Sequence, residues 1–337
     1  MPFSVFFGLK NTQESGTTLL ENWISKTSEP EITMILTGDI MLGRYIATLR
    51  GRNGGNFPFT YMPEIIALAK EKLASQKIDI IAGNLEGPIT DTQTYYGDMV
   101  FRFEPEVAEL LKNTGFTTLG LANNHIFNQT RAGYTTTQNY LTGVGIKSFG
   151  EPDTANGESS TAIYNFGDTS IGFLGLNDTD FNLDEAQAIQ KIQELNEQVD
   201  VLIVSIHWGT EYQKIANNTI VKMAHSFVDA GADMIWGHHP HVVQNSEIYA
   251  GAPIYYSLGN FVFDQYWSEE TQKGLVLALK MKNRKIEVQE IPVDLVNLGE
   301  PKIHTPGLPK DIKSDTITRF FDTNSAGNLI SSVQIRK

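Results

Sequence analysis

The sequence predicts an α/β fold in which β-sheets stack as a sandwich with helices outside. Three observations lead there. From Ile32 onward, short apolar strands alternate with amphipathic helical stretches. After Trp236 the pattern changes to strands joined by tight turns, and throughout, polar residues recur where successive strands end.

Residues 1–30 hold no sustained periodicity and read as a leader or peripheral arm. Residues 32–37 are a short apolar strand closed by Gly38 and Asp39, and residues 62–75 place Ile65, Ile66, Leu68, Ala69 and Leu73 on one helical side. A strand at 78–82 ends at Gly83 and Asn84. Helix then strand recurs at 105–113 into 116–119 and at 135–142 into 146–149. Two β-rich runs (161–166 and 171–176) precede a polar-faced helix at 183–198 and a strand at 199–206. A helix over 218–229 leads into a strand at 233–236. Strands at 246–249, 254–257, 275–281 and 286–291 then form antiparallel pairs around turns such as Asn283-Arg284. The main domain is expected over 31–298, with 299–337 as a wrapping tail.

A length of 337 residues fits about two average domains or one large α/β domain. Hydrophobic residues at 41% can build a sizeable core, which excludes global disorder. With 26 Lys+Arg against 39 Asp+Glu the formal charge is -13, so the overall field repels polyanions and no nucleic-acid partner is expected. Any phosphate-bearing substrate needs a metal ion or a local arginine. The absence of cysteine excludes disulfides, thiolate zinc sites and Cys nucleophiles. No stretch approaches the roughly 18 apolar residues of a transmembrane helix, and the N-terminus makes a poor signal peptide. Location in the cell is therefore left open.

The chemistry gathers at strand ends, where open α/β sheets place ligands. Asp39 follows the first strand, Asn84 and Glu86 the second, and Asn123, Asn124 and His125 the third. His207-Trp208 and the run from Gly237 through His238, His239, Pro240 and His241 follow two later ones. Five of the seven histidines lie in these segments, which decides against reading each as an isolated core residue. Asp, Glu, Asn and His without sulfur suit one or two divalent ions of Mn, Fe, Zn or Mg. Pro240 favours an extended His239, which would put His239 and His241 on one face. Singly, each has a plainer reading: Asp39 as a loop cap, Glu86 as a turn boundary, His207 as a satisfied core histidine.

These segments resemble the metallophosphoesterase (calcineurin-like) superfamily, and more closely its CapA-like branch of poly-gamma-glutamate capsule biosynthesis. The resemblance runs over about residues 32–291. It rests on 38–44 (Gly-Asp-Ile-Met-Leu-Gly-Arg), 84–90 (Asn-Leu-Glu-Gly-Pro-Ile-Thr), 121–125 (Leu-Ala-Asn-Asn-His), 207–212 (His-Trp-Gly-Thr-Glu-Tyr), 231–241 and 256–264. It implies a metallophosphoesterase-like sandwich of two mixed β-sheets flanked by helices, as a single large domain. It further implies a pair of ions, about 3.5–4 Å apart, that clamp a phosphate and activate a water. Carried over by position, Asp39 and His241 hold one ion and Asn124, His207 and His239 the other, with His125 as proton donor. Two departures stand out: Met41 occupies a place where the superfamily has a ligand histidine, and Asn84 that of the bridging aspartate. A two-ion site would then depend on Glu86.

Arg44 and Arg102 are candidates to grip phosphate or carboxylate, with a structural ion pair as the plainer reading for Arg102. Glu211, Tyr212, Asn260 and Asp264 are expected at the pocket mouth or behind the ligands. His238 is expected to support or pack, Trp208 and Trp236 to line the core or pocket wall, and the amide of Asn128 to weaken a hydrogen bond to a histidine. The resemblance implies a hydrolase in the synthesis, export or processing of an anionic polymer or a phosphoester, with a capsule-synthesis complex at the membrane and a place in the cell envelope. The alternatives are a non-catalytic polymer-binding subunit, which Met41 favours, and a soluble nucleotidase or sugar-phosphate phosphatase.

Overall fold

The central strands are buried at successive positions, so each must cover two faces, and the fold supplies a layer for each. The computed structural model describes residues 30–180, 182–282 and 285–305, and the backbone of 319–322. The expected leader at 1–30 lies outside these residues except for Pro30.

The chain runs β1 (Ile32–Ile40), α1 (Arg44–Asn53), α2 (Met62–Lys72), β2 (Ile80–Leu85), α3 (Glu106–Thr114), β3 (Thr118–Gly120), α4 (Thr130–Gly143) and β4 (Lys147–Phe149). Next come β5 (Thr161–Phe166), β6 (Thr169–Asp178), α5 (Glu185–Asn196), β7 (Val201–Trp208), α6 (Asn218–Asp229) and β8 (Met234–His238). The remaining strands are β9 (Ser246–Tyr249), β10 (Ala252–Tyr255), β11 (Asn260–Val262), β12 (Lys273–Lys282), β13 (Lys285–Val296), β14 (Glu300–Ile303) and β15 (Arg319–Asp322).

Two mixed sheets result. One has the order β14-β13-β12-β1-β2-β3-β4, with β11 also on β1 and β15 also on β13; the other has the order β5-β6-β7-β8-β10-β9. The expected sandwich is what forms. Ile32, Met34 and Leu36 of β1 face Phe173, Val201, Ile203 and Trp236 across the space between the sheets. Their neighbour Ile35 faces the opposite way, into a core with Ile65, Val107 and Leu111 of the helices. On β7 the same two-residue period sends Leu202, Val204 and Ile206 toward Ile192, Ile220 and Phe227. The expected helix at 218–229 forms over those residues, capped by Asn217, whose side chain accepts from the Thr219 and Ile220 N–H groups.

The pattern missed α1, which buries only Ile46 and Leu49 and is rich in arginine. It also missed β14, where the expected tail begins as a sheet strand paired to β13. No helix among the described residues is long and apolar enough to cross a membrane.

What the topology does for function is to bring strand ends together. β1, β2, β3 and β4 run parallel, as do β6, β7 and β8. Register sets Asp39 beside Asn84 on one side and Asn260 on the other, and His207 beside His238. Two glycines make the close approaches possible: a Cβ on Gly38 would lie 2.0 Å from the Gly259 carbonyl oxygen, and one on Gly237 2.0 Å from that of Tyr256. Phe173 is fully buried between the sheets with Phe149 at 5.5 Å between ring centroids. Phe173→Ala is expected to destabilise the fold by about 3–5 kcal/mol, read as a lowered urea midpoint with an unchanged slope.

Candidate metal centre

Asp39 is wholly buried where the two sheets meet, and its carboxylate is surrounded by donors from both. Asn84 Nδ2 donates to Oδ1 at 2.8 Å, His238 Nδ1 lies 3.1 Å from the same oxygen, and the His239 N–H donates to Oδ2 at 3.2 Å. His241 Nδ1 lies 3.5 Å from Oδ2. Burial opposes ionisation of Asp39, but hydrogen bonds from His238 and His241, with the charge of those rings and of His207, outweigh it. Its carboxyl is held well below the usual range.

The amides around it are oriented by backbone partners, which settles where several protons sit. Asn123 Nδ2 donates to the Leu85 carbonyl and to Asn84 Oδ1, so Asn84 presents its NH2 to Asp39 and to His207 Nδ1 at 3.3 Å. His207 Nε2 lies 2.9 Å from Asn124 Oδ1 and 3.2 Å from His239 Nδ1. Asn260 Nδ2 donates to the Thr271 carbonyl, so its Oδ1 accepts from His241 Nδ1 at 3.0 Å and leaves His241 Nε2 facing Glu86 Oε1 at 3.7 Å. Asn128 Oδ1 accepts from the Phe101 N–H, so His125 donates to it through Nδ1 at 2.9 Å. His125 Nε2 then also faces Glu86 Oε1, at 3.9 Å, while its ring stacks on Phe101 at 3.9 Å. The neutral amide of Asn128 thus makes the bond that the sequence suggested would be weak.

Glu86 stands out from this network, in which His238 Nε2 is also without a hydrogen-bond partner. Its side chain is wholly buried, and neither carboxylate oxygen has a hydrogen-bond partner. Burial, reinforced by Asp39 and Glu211, pushes its carboxyl well above the usual range against the pull of His241 and Arg44. His241 moves the other way from burial: Glu86 and Asp39 overcome desolvation and raise it to about 9. Burial lowers His125 and His239 to about 4 and depresses His207 well below its ordinary value. Three imidazoles held neutral, with a fourth, His241, whose proton a cation would displace, stand around a carboxyl with no hydrogen-bond partner; this donor set fits a divalent cation, which would supply the missing partner. The donor atoms form two groups, Asp39 with Glu86 and His207, and Glu211 with His239 and His241, each within 4.8 Å.

Most residues singled out in the sequence converge here. The grouping differs from the positional carry-over, because Glu211, expected only at the mouth, reaches His239 and His241. His239 and His241 are not extended as Pro240 suggested. Their φ values are 96° and 57°, in the left-handed region, and the turn rather than a strand face aims both inward. Met41 is fully buried, and its Sδ accepts from the Gly43 N–H at 3.2 Å, so its place belongs to the core. Arg44 forms a forked pair with Asp264, through Nε at 3.2 Å and through Nη2, and its guanidinium lies over Phe101 at 4.7 Å. Arg102 is turned to the Thr90 carbonyl and to Glu104, which is its plainer, structural reading. Trp208 and Trp236 are core residues bonded to the Tyr256 and Thr37 carbonyls. Sequence reasoning did not single out Gln265, which accepts from Asn260; its only signal was its place just after Asp264.

A family model described as bacterial capsule synthesis protein PGA_cap matches residues 33–265, which include every residue of this cluster. The chain belongs to that family. Among its relatives, the PGA biosynthesis protein CapA of Bacillus subtilis is 30% identical over 328 residues, covering 90% of this chain and 83% of that protein. The capsule biosynthesis protein CapA of Bacillus anthracis is 27% identical, covering 83% and 71%. Among solved structures, one described as a novel phosphatase, from Mycoplasma pneumoniae, is 16% identical with a TM-score of 0.48, covering 82% of this chain and 92% of that one. The family assignment rests on the sequence matches alone.

In this PGA_cap member the cost of Glu86 sets a test. A carboxyl whose folded pKa is raised contributes stability that is fully present below about 4.5 and lost as pH rises through the raised value. The stability of the metal-free protein is therefore expected to fall as pH rises above 4.5, and Glu86→Gln to flatten that fall. It should also reduce any melting-temperature gain on adding Mn²⁺ or Zn²⁺, since one of the two donor groups loses its unpartnered carboxylate. Thermal melts across pH, with and without chelator, check both.

Proposed function

We propose that this chain is a metal-dependent hydrolase with a phosphoesterase-type site, acting in the synthesis or processing of an anionic capsule polymer of the poly-gamma-glutamate kind. The observation that carries the reading is the buried carboxylate of Glu86, unpartnered and faced by His125 and His241. Asp39, Glu86 and His207 would hold one ion, and Glu211, His239 and His241 a second, with Asn124 beside His207, whose Nε2 also meets His239 Nδ1. A divalent ion bound there supplies Lewis-acid polarisation of a phosphoryl oxygen and makes a water more acidic.

The chain's own residues do the rest. Asn84 and Asn260 fix the rings and carboxylate that face the ions. His125, held through Nδ1 by Asn128 and stacked on Phe101, presents Nε2 as the atom that carries a proton to the leaving oxygen. Burial, with the nearby His241 and Arg44, holds that ring near 4, and the negative charge of a phosphate raises it toward the working range. Arg44, which has N–H groups left beyond those used by Asp264 and the Asp98 carbonyl, steadies the anion. The proposed partners are an anionic polymer and a capsule-synthesis complex at the membrane.

Met41 favours a second reading, a polymer-binding subunit that keeps the fold and an ion but no turnover, since a core methionine stands where a further ligand would be. Metal analysis followed by a phosphomonoesterase and phosphodiesterase screen separates the two. Mn²⁺-dependent turnover is expected, with His125→Gln lowering kcat by about 10²–10⁴ while bound metal stays constant. A protein that binds metal and hydrolyses no phosphoester in the screen would support the binding reading.

A further inference from the structure

Large apolar side chains exposed to solvent are concentrated around this site. Among the described residues, Tyr45, Met99, Tyr212, Ile215 and Trp267 belong to segments that border it; Tyr95, Tyr96, Ile248 and Leu298 are exposed as well. Two of these rings form an ordered corner. Tyr212 lies 6.2 Å from the His241 ring, centroid to centroid, and Trp267 meets Tyr212 edge-on at 5.9 Å and 82°. Trp267 is 63% exposed and Tyr212 40%, so both keep free ring surface.

The corner is built, not incidental. Tyr212 takes a left-handed φ of 63°, costly for an aromatic residue, and is held there by its N–H donating to the Pro240 carbonyl at 2.8 Å. Gln265, the residue that also bonds Asn260 behind His241, reaches the Tyr212 hydroxyl at 3.5 Å. Trp267 follows two residues later on the same segment, so the backbone that supports the metal cluster also carries the wall of the corner.

We infer that Tyr212 and Trp267 form a stacking subsite for a ring on the organic side of the substrate, so that this site takes a ring-bearing phosphoester, sugar or aryl, in preference to a simple alkyl one. The inference rests on the proposed phosphoester-binding metal site. An edge-to-face pair leaves one free ring face at a right angle to another, which suits a single flat ring, and the adjacent His241 puts the phosphate of such a ligand at the ions.

The test uses the Mn²⁺-loaded full chain and three probes: methyl phosphate, phenyl phosphate and glucose 1-phosphate. Trp208 and Trp236 are fully buried, so among the described residues Trp267 dominates acrylamide quenching. Phenyl phosphate, glucose 1-phosphate or both are expected to bind about tenfold more tightly than methyl phosphate and to shield Trp267 from quencher. Which of the two does so identifies the ring. Trp267→Ala should remove that preference while leaving methyl phosphate affinity unchanged, and Trp267→Phe should keep most of it. Tyr212→Leu should remove the ring preference as well. Binding of all three probes with equal affinity, or a preference that survives Trp267→Ala, overturns the subsite while leaving the metal site standing. Binding of none of them overturns both.

Discussion

Everything at the site depends on one carboxylate having been taken out of water between two sheets. Asp39 is reachable only because Gly38 lets β11 come within a carbonyl's width of β1, and because β7 and β8 end at the same edge as β1 and β2. Isolated in a core, such a charge would be costly. Here it accepts from an amide, a backbone N–H and histidine rings contributed by both sheets, so it also ties the sheets to each other. The apolar sandwich positions the charge, and the charge then fixes how the strand ends are juxtaposed.

Glu86 stands in contrast. Both carboxylates are completely buried, yet only Asp39 is hydrogen-bonded by protein. The difference separates two jobs for the same chemical group. A compensated carboxylate is structural at rest, while an uncompensated one keeps its lone pairs available for something that arrives. The three imidazoles driven neutral by burial extend the same logic, since a ring nitrogen can bind a cation only when it is not already carrying one charge too many.

The strand-end carboxylates, amides and histidines were legible because a short, largely apolar run marks a buried strand, and a Gly, Asp or His where that run closes marks the ligand edge, as at Asp39 and His207. The helix at 218–229 was legible from its apolar stripe and its asparagine cap. Other features depend on contacts remote in sequence and carry no local signal. Arg102 chose Glu104 and Thr90, a choice made by loop geometry. Glu211 reaches the histidines because the chain turns sharply at Gly209, with φ of 87°, and again at Tyr212. Helix α1 hid behind its arginines, because its short apolar face needs only Ile46 and Leu49. The His-Pro-His turn misled because the usual effect of proline on its predecessor is outweighed by the bond from the His239 N–H to Asp39.

Residues 264–267 gather four tasks in one short stretch. Asp264 clasps Arg44, Gln265 joins Asn260 to Tyr212, Tyr266 packs edge-on against Tyr45, and Trp267 walls the mouth. Selectivity at the entrance and orientation of the inner histidine therefore share a single mechanical support. A shift of this backbone, or a change at Gln265, would alter both what the opening admits and how His241 is aimed, whereas a change confined to the Trp267 ring reaches only the opening.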